Sequence, residues 1–205
     1  MSELEDLLAG FAPEVHPPVL PASDVSYVVE DTAVGRMLLA TDSTGALLAS
    51  SFVPDERSES LLVERLSRAV SPRVLRQPRE LDEARRELEA FLTGRRHHFR
   101  VRTDLALASP FQRVVLPRLA ATVGYGQRST YGQLARAVER PSASRAVGAA
   151  LGANPLCVVL PCHRVVAASG ALTGYAGGLA AKEYLLDLEA RESGGEPAGR
   201  VDDAR

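Results

Sequence analysis

Short β-rich apolar runs dominate residues 27–53. Met37-Leu38-Leu39-Ala40 and Ala46-Leu47-Leu48-Ala49 flank the turn-forming stretch Thr41-Asp42-Ser43-Thr44-Gly45, which predicts a hairpin. The period then lengthens, and residues 58–70 and 80–92 read as helices, the second stopping before Gly94. A linker over 95–107 leads to Ser109-Pro110-Phe111-Gln112, a helix start with a serine cap, an early proline and a glutamine placed for a capping box. Pro117 falls inside that helix, where a missing N–H predicts a kink.

Two further helices are expected over 131–140 and 143–152, separated by Pro141-Ser142, a helix-turn-helix candidate. Residues 156–160 form an apolar run that reads as a short buried strand. Residues 179–191 read as a last helix, with Leu185, Leu186 and Leu188 available to a core. The fold class expected is α+β: a small N-terminal sheet-and-helix domain over 1–100, opened by a Pro-rich arm, then a mainly helical domain over 101–190 and a disordered tail over 191–205.

Composition narrows the function classes. With 45% hydrophobic residues, the 205-residue chain can bury a substantial core. The acidic start Met1-Ser2-Glu3-Leu4-Glu5-Asp6 is unlike a signal peptide, and no apolar run is long enough for a membrane helix, so a cytoplasmic protein without membrane contact is expected. Two cysteines suit a reducing compartment better than a disulfide framework.

The net charge of −2 conceals an asymmetry. Residues 1–100 carry 12 Arg against 17 acids, whereas 101–190 carry 8 Arg and Lys182 against 5 acids. A basic half beside an acidic half suits a polyanion-binding domain with a supporting domain, although an Arg-rich solvated surface gives the same balance.

The candidate chemistry lies in Leu160-Pro161-Cys162-His163-Arg164-Val165-Val166. Sulfur attacks as thiolate, and a neighbouring base or cation is what converts a thiol into that reagent. His163 and Arg164 are adjacent, but neighbours on an extended strand point to opposite faces, so His163 is expected to act through a bent backbone or a bridging water. Cys157 lies five residues earlier, and strand alternation assigns it to the opposite face as a structural residue. The second candidate feature is the run Arg145-Ala146-Val147-Gly148-Ala149-Ala150, whose small side chains let a helix backbone come close to another surface, either a protein core or a minor groove about 6 Å wide.

Together with Asn154-Pro155, Ser169-Gly170, Gly174-Tyr175, Gly177-Gly178 and Lys182-Glu183, these motifs make residues 109–189 resemble the C-terminal domain of the O6-alkylguanine-DNA alkyltransferases, also called methylated-DNA–protein-cysteine methyltransferases. Residues 27–99 resemble that family's N-terminal domain in layout only. The resemblance implies stoichiometric transfer of an alkyl group from O6-alkylguanine, and by extension O4-alkylthymine, in double-stranded DNA to Cys162. It implies that His163 takes the thiol proton through a water, that Glu183 orients His163, and that Asn154 ties the small-residue helix to the active turn.

It further implies that Tyr131 assists rotation of the nucleotide and donates a proton toward the guanine, and that Arg145 fills the gap left in the stack. Ala146, Gly148 and Ala149, with Arg128, Ser129 and Thr130, would complete the DNA contact. The base pocket would use Pro161, Val165, Tyr175 and Ala176: carbonyls of Cys162 and Val165 for the guanine amino group, Tyr175 as a wall and the Ala176 N–H toward O6. Family members often carry serine where Ala176 stands, which removes a side-chain hydrogen bond.

A thioether is a poor leaving group, so one turnover consumes the protein, which is expected to be a monomer in solution, with cooperative binding on DNA left open by the sequence. No cofactor is expected. Some family members hold zinc in the N-terminal domain, but here that region has no cysteine and only His16, His97 and His98, so no metal is expected either. Two alternatives stand beside transfer. A sensor that holds alkylated bases without accepting the group would lack the cysteine, and a cysteine hydrolase would turn over repeatedly.

Overall fold

The structure, a computed structural model, describes residues 23–192. The Pro-rich arm and nearly all of the tail lie outside the described residues. Strands β1 (Val25–Thr32), β2 (Gly35–Asp42), β3 (Leu47–Phe52) and β4 (Val74–Arg76) form one sheet in the order β3-β2-β1-β4, antiparallel except for the β1–β4 pair. The β2–β3 hairpin forms where the turn residues predict it. Asp42 accepts from Thr44 N (2.8 Å) and Ala46 N (2.9 Å), and Gly45 supplies a φ of 79°.

Both faces of the sheet are covered, which is why β2 reads as a continuous apolar run rather than an alternation. Leu38, Ala40 and Leu48 pack with Leu62 and Leu66 of helix α1 (Glu56–Ala69), whose N-terminus Asp55 caps. Val28, Met37 and Leu39 face helix α2 (Asp82–Leu92), entered through a 3-10 turn at Pro78–Leu81 and followed by Gly94 at φ 74°. That second cluster continues through Leu116, Leu134, Val147 and Leu156, so one core joins both halves of the chain.

Helix α3 (Gln112–Thr122) follows the expected box: Ser109 N donates to Gln112 Oε1 (2.8 Å) and Gln112 N to Ser109 Oγ (3.3 Å). Gln112 also donates to Ala150 O and Ala153 O, tying α3 to the end of the small-residue helix. Helix α4 (Tyr131–Ala137) begins on a second capping box, between Thr130 and Gln133, and packs on α5 (Ser144–Gly152). Both are shorter than predicted. Glu139 at φ 60° and the Arg140 N to Ala135 O bond close α4 before Pro141.

The expected strand over 156–160 is not formed. Leu156 makes a single bridge with Ser50, and the chain then folds back so that Leu160 N donates to Leu156 O (2.8 Å), with Val158 at φ 71°. A β-branched residue in the left-handed region costs about 1–3 kcal/mol and cannot lie in a strand. The run is apolar because the turn is buried between the two halves, not because it pairs in a sheet. A short parallel pair, β5 (Ser129–Thr130) with β6 (Val165–Val166), and helix α6 (Gly178–Glu192) complete the described residues.

Candidate active site

Cys162 opens a 3-10 turn over Cys162–Arg164 directly after Pro161, so the backbone bends where an extended strand would have parted Cys162 from His163. The sulfur is buried, at 5% exposure, and accepts a hydrogen bond from Asn154 Nδ2 at 3.2 Å. The same amide nitrogen donates to Leu160 O (3.0 Å), while Asn154 Oδ1 accepts from Leu156 N (2.9 Å). One asparagine side chain thus pins both ends of the turn and the Cys162 sulfur it carries.

Cys157 does not face away. Its Sγ lies within reach of both Asn154 O (3.3 Å) and the Cys162 sulfur, and its single S–H serves one of them at a time. Alternation fails because the segment between the two cysteines is a turn. Hydrogen bonding from Cys157, supported by Asn154 and the Lys182 charge, holds the Cys162 thiol below its ordinary range despite burial. Cys157 is driven the opposite way, first by its bond to Cys162 and then by burial, and stays protonated.

His163 is fully buried, and its Nε2 meets Glu189 Oε1 at 2.8 Å. The carboxylate fixes the proton on Nε2 and leaves Nδ1, enclosed and without a hydrogen-bond partner among the described residues, as the basic nitrogen. Burial pushes His163 down and Glu189 partly counters it, so the ring is neutral near pH 7.

Glu189 is itself held by Arg164, whose Nε lies 2.9 Å from Oε2 and whose second guanidinium nitrogen lies 2.9 Å from Oε1. Gly126 N also donates to it (3.1 Å). Burial would raise this carboxyl, but the hydrogen bonds and charges of His163 and Arg164 outweigh it and leave Glu189 below its ordinary value.

The expectation that Glu183 orients His163 is therefore corrected: Glu183 is exposed, and Glu189 occupies that place. The signal was the helical period. On α6 the buried positions are Ala181, Lys182, Leu185, Leu186 and Glu189, whereas Glu183 shares the solvent side with Asp187. Lys182, which the sequence offers only as part of the Lys182-Glu183 motif, donates its buried ammonium to Val165 O (2.6 Å) and Thr173 O (3.0 Å), fastening the Cys162 turn to the glycine-rich loop. Burial lowers it, and the Cys162 charge acts in the opposite sense.

Of the other expected pocket residues, Pro161 and Val165 are buried, Tyr175 is half-buried and Ala176 is exposed. The Cys162 and Val165 carbonyls each already accept one hydrogen bond, from Val165 N and Lys182 Nζ, which leaves each one further lone pair. Tyr175 stands edge-on to His163, with centroids 6.4 Å apart, and burial raises its phenol well above the ordinary value. Tyr131 Oη pairs with Thr173 Oγ1 (3.0 Å), joining the first turn of α4 to the same loop.

Arg145, Ala146 and Ala149 form an exposed face of α5 with Gly148 half-buried at its side, while Val147, Ala150 and Leu151 face the core. Arg128 is exposed, and Ser129 and Thr130 are half-buried beside β6, which continues the active turn. Among the described residues no group of three or more His, Cys, Asp or Glu is arranged to hold a metal ion, and His16 lies outside them. Nor is any described helix long and apolar enough to cross a membrane.

A buried, hydrogen-bonded thiolate candidate beside a histidine–glutamate pair, in a mixed helix-and-strand fold, defines a cysteine-centred reaction site. Residues 110–191 match the family model described as the 6-O-methylguanine DNA methyltransferase DNA binding domain. A methylated-DNA–protein-cysteine methyltransferase of Methanosarcina acetivorans is 36% identical over 166 residues, 80% of this chain and 97% of the relative. One from Mycolicibacterium paratuberculosis is 47% identical over 116 residues, 57% of this chain and 69% of the relative. The crystal structure of Mycobacterium tuberculosis OGT in complex with DNA superposes with a TM-score of 0.69 at 32% identity, covering 82% of this chain and 94% of that one. The chain belongs to the methylated-DNA–protein-cysteine methyltransferase family.

Proposed function

We propose that the protein repairs DNA by direct reversal, moving the alkyl group of O6-alkylguanine to Cys162 in a single turnover. The observation that carries this reading is the Cys162 sulfur, held by Asn154 and lowered toward thiolate, beside a neutral His163 whose Nε2 is occupied by Glu189. His163 Nδ1 receives the thiol proton through a water, Glu189 balances the charge that results, and Arg164 holds that carboxylate in place. The sulfur attacks the alkyl carbon, the carbon–O6 bond breaks, and its electron pair leaves with guanine, which takes up a proton. What remains is a thioether at Cys162 and a repaired base.

The base must first leave the stack, at a cost of a few kcal/mol. In this reading α4 and α5 act as a helix-turn-helix within a DNA-binding unit of residues 101–190, with 1–100 in support. Ala146, Gly148 and Ala149 let α5 approach the groove, Arg145 enters the vacated space, and Arg128, Ser129 and Thr130 take the adjoining backbone. Tyr131 turns the nucleotide, and Pro161, Val165, Tyr175 and Ala176 receive the base. The protein acts as a cytoplasmic monomer on double-stranded DNA.

The test is intact mass after incubation with a duplex carrying O6-methylguanine. One added methyl per chain, with product stopping at one equivalent, is expected. An unchanged mass with tight binding favours a sensor, and cleaved substrate over many equivalents favours a hydrolase.

A further inference from the structure

Three consecutive residues of β3, in the N-terminal half, meet both sides of the reaction centre. Ser50 N donates to Pro155 O (2.8 Å), Ser50 Oγ to Cys157 O (2.7 Å) and Ser51 Oγ to Pro155 O (3.0 Å). These bonds fix the start of the turn that Asn154 ties to Cys162. The next residue, Phe52, reaches the opposite wall. Its ring centroid lies 5.5 Å from that of Tyr175 at an interplanar angle of 73°, and Gly177 packs against it. A Cβ at Gly177 would stand 2.5, 2.6 and 2.8 Å from three atoms of the Phe52 ring, closer than any side-chain carbon can approach. The glycine is required there by the ring and not by its own backbone angles, since it has no positive φ.

Tyr175 therefore meets two rings edge-on, Phe52 at 5.5 Å and His163 at 6.4 Å between centroids. An aromatic ring is rigid and cannot yield as an aliphatic chain does, so the bulk of Phe52 determines how far the glycine-rich loop can withdraw from the turn that carries the sulfur. The strand thus spans the site, with serines fastening the nucleophile's side and a phenyl ring propping the wall.

Resting on the alkyl-transfer reading above, we propose that Phe52 is a specificity-determining positioning residue. Without touching the substrate, it sets the gap between Tyr175 and the active turn, and so the size of alkyl group that transfers best. Shortening the prop lets Tyr175 and Gly177 recede, which favours bulky groups and leaves a methyl group less closely held.

The experiment compares single-turnover rates on one duplex carrying either O6-methylguanine or O6-benzylguanine. Phe52→Leu is expected to raise the benzyl-to-methyl rate ratio by about tenfold or more, the discrimination that a methylene-scale change in pocket size supplies. Phe52→Tyr keeps the ring and should retain the original ratio. Gly177→Ala should slow both substrates in the parent protein and be largely rescued in the F52L background, a coupling that independent sites would not give.

Equal loss on both substrates in Phe52→Leu, or a Gly177→Ala defect that persists unchanged beside it, overturns the proposal and leaves Phe52 as a structural contact. If Phe52→Leu melts too early to assay, Phe52→Met takes its place with the same expected direction. Failure of the parent protein to gain alkyl mass from either duplex overturns the transfer reading itself, whereas normal transfer with an unmoved ratio overturns only the role of Phe52.

Discussion

The reaction turn and the outer face of α5 are built on opposite principles. The turn is crowded with buried polar groups: His163, Arg164, Lys182, Glu189 and Asn154 are all buried and each is held by hydrogen bonds, with His163 Nδ1 the nitrogen left open. The α5 face is made by subtraction, with Ala146 and Ala149 exposed and Arg145 the one long side chain at that edge. Chemistry at a buried thiol needs charge that has been paired in advance, since an ion left unpartnered in the interior is strongly destabilising. A surface for another macromolecule needs only shape and a few cations. The turn should therefore couple activity to stability, and the α5 face should not.

The largest effect tests the turn at its centre. Cys162→Ser should lower alkyl transfer by more than about a thousandfold, the scale on which removal of a nucleophile acts, while duplex binding by gel shift stays near parent affinity. Stoichiometric transfer by that variant would remove Cys162 from the chemistry. Next comes the pair of glutamates on α6. Glu189→Gln should slow transfer about a hundredfold, as loss of general-base support does, and should destabilise the fold by about 3–5 kcal/mol because Arg164 loses its buried partner. Glu183→Gln should leave the rate within about twofold, as surface substitutions do. The reverse ranking would reinstate Glu183 as the orienting residue.

That contrast also marks where the sequence stops being informative. The hairpin at Asp42–Gly45, the capping box at Ser109 and Gln112, and the small-residue helix were legible because each depends on residues close together in the chain. The partner of His163 was not, because a motif match at Lys182-Glu183 drew attention to the wrong carboxylate. The buried register through Leu185 and Leu186 would have pointed to Glu189. Leu156 to Leu160 was misread for a related reason: apolar composition reports burial, and only the later contacts with Asn154 and Ser50 decide between strand and turn. The serines and Phe52 of β3 carry no local signal at all, since their partners are about a hundred residues away.

On the α5 side, Arg145→Ala should slow transfer from duplex DNA about tenfold or more, in keeping with the few kcal/mol needed to extrude a base, while transfer from a free O6-alkylguanine base stays unchanged. The melting temperature should hold, because Arg145 is exposed and caps nothing. A deficit that persists at saturating DNA and shrinks at a mismatch supports the stack-filling role. One that disappears at high DNA, with a salt slope shallower by about one counterion, makes Arg145 a phosphate contact instead. Equal loss on free base and duplex would break the separation between the two regions, since α5 would then be shaping the reaction turn.

The smallest effect is the acid limb of stability, and it sharpens the assignment of the buried pair. In the folded protein His163 takes up a proton only below its ordinary value of 6.5, because burial disfavours the imidazolium more than Glu189 favours it. The unfolded chain binds that proton near 6.5, so it holds more protons than the fold in the window beneath, and stability must fall as pH drops through it. Glu189 adds a second window. Its folded value lies below 4.5, so the stability it contributes is complete above 4.5 and is lost as pH falls through the folded value.

Both losses run in the same direction and should appear as two successive declines in melting temperature between about pH 7 and pH 3, the range these two reference values set. Glu189→Gln should shrink the second decline, to which Asp42 and Asp55 also contribute, and deepen the first, since His163 then has burial against it and no carboxylate in its favour. Glu183→Gln should trace the parent curve throughout. If instead Glu183→Gln flattens the acid limb and Glu189→Gln leaves it intact, the buried ion pair is not what acid disrupts, and the coupling of stability to chemistry at the reaction turn fails with it.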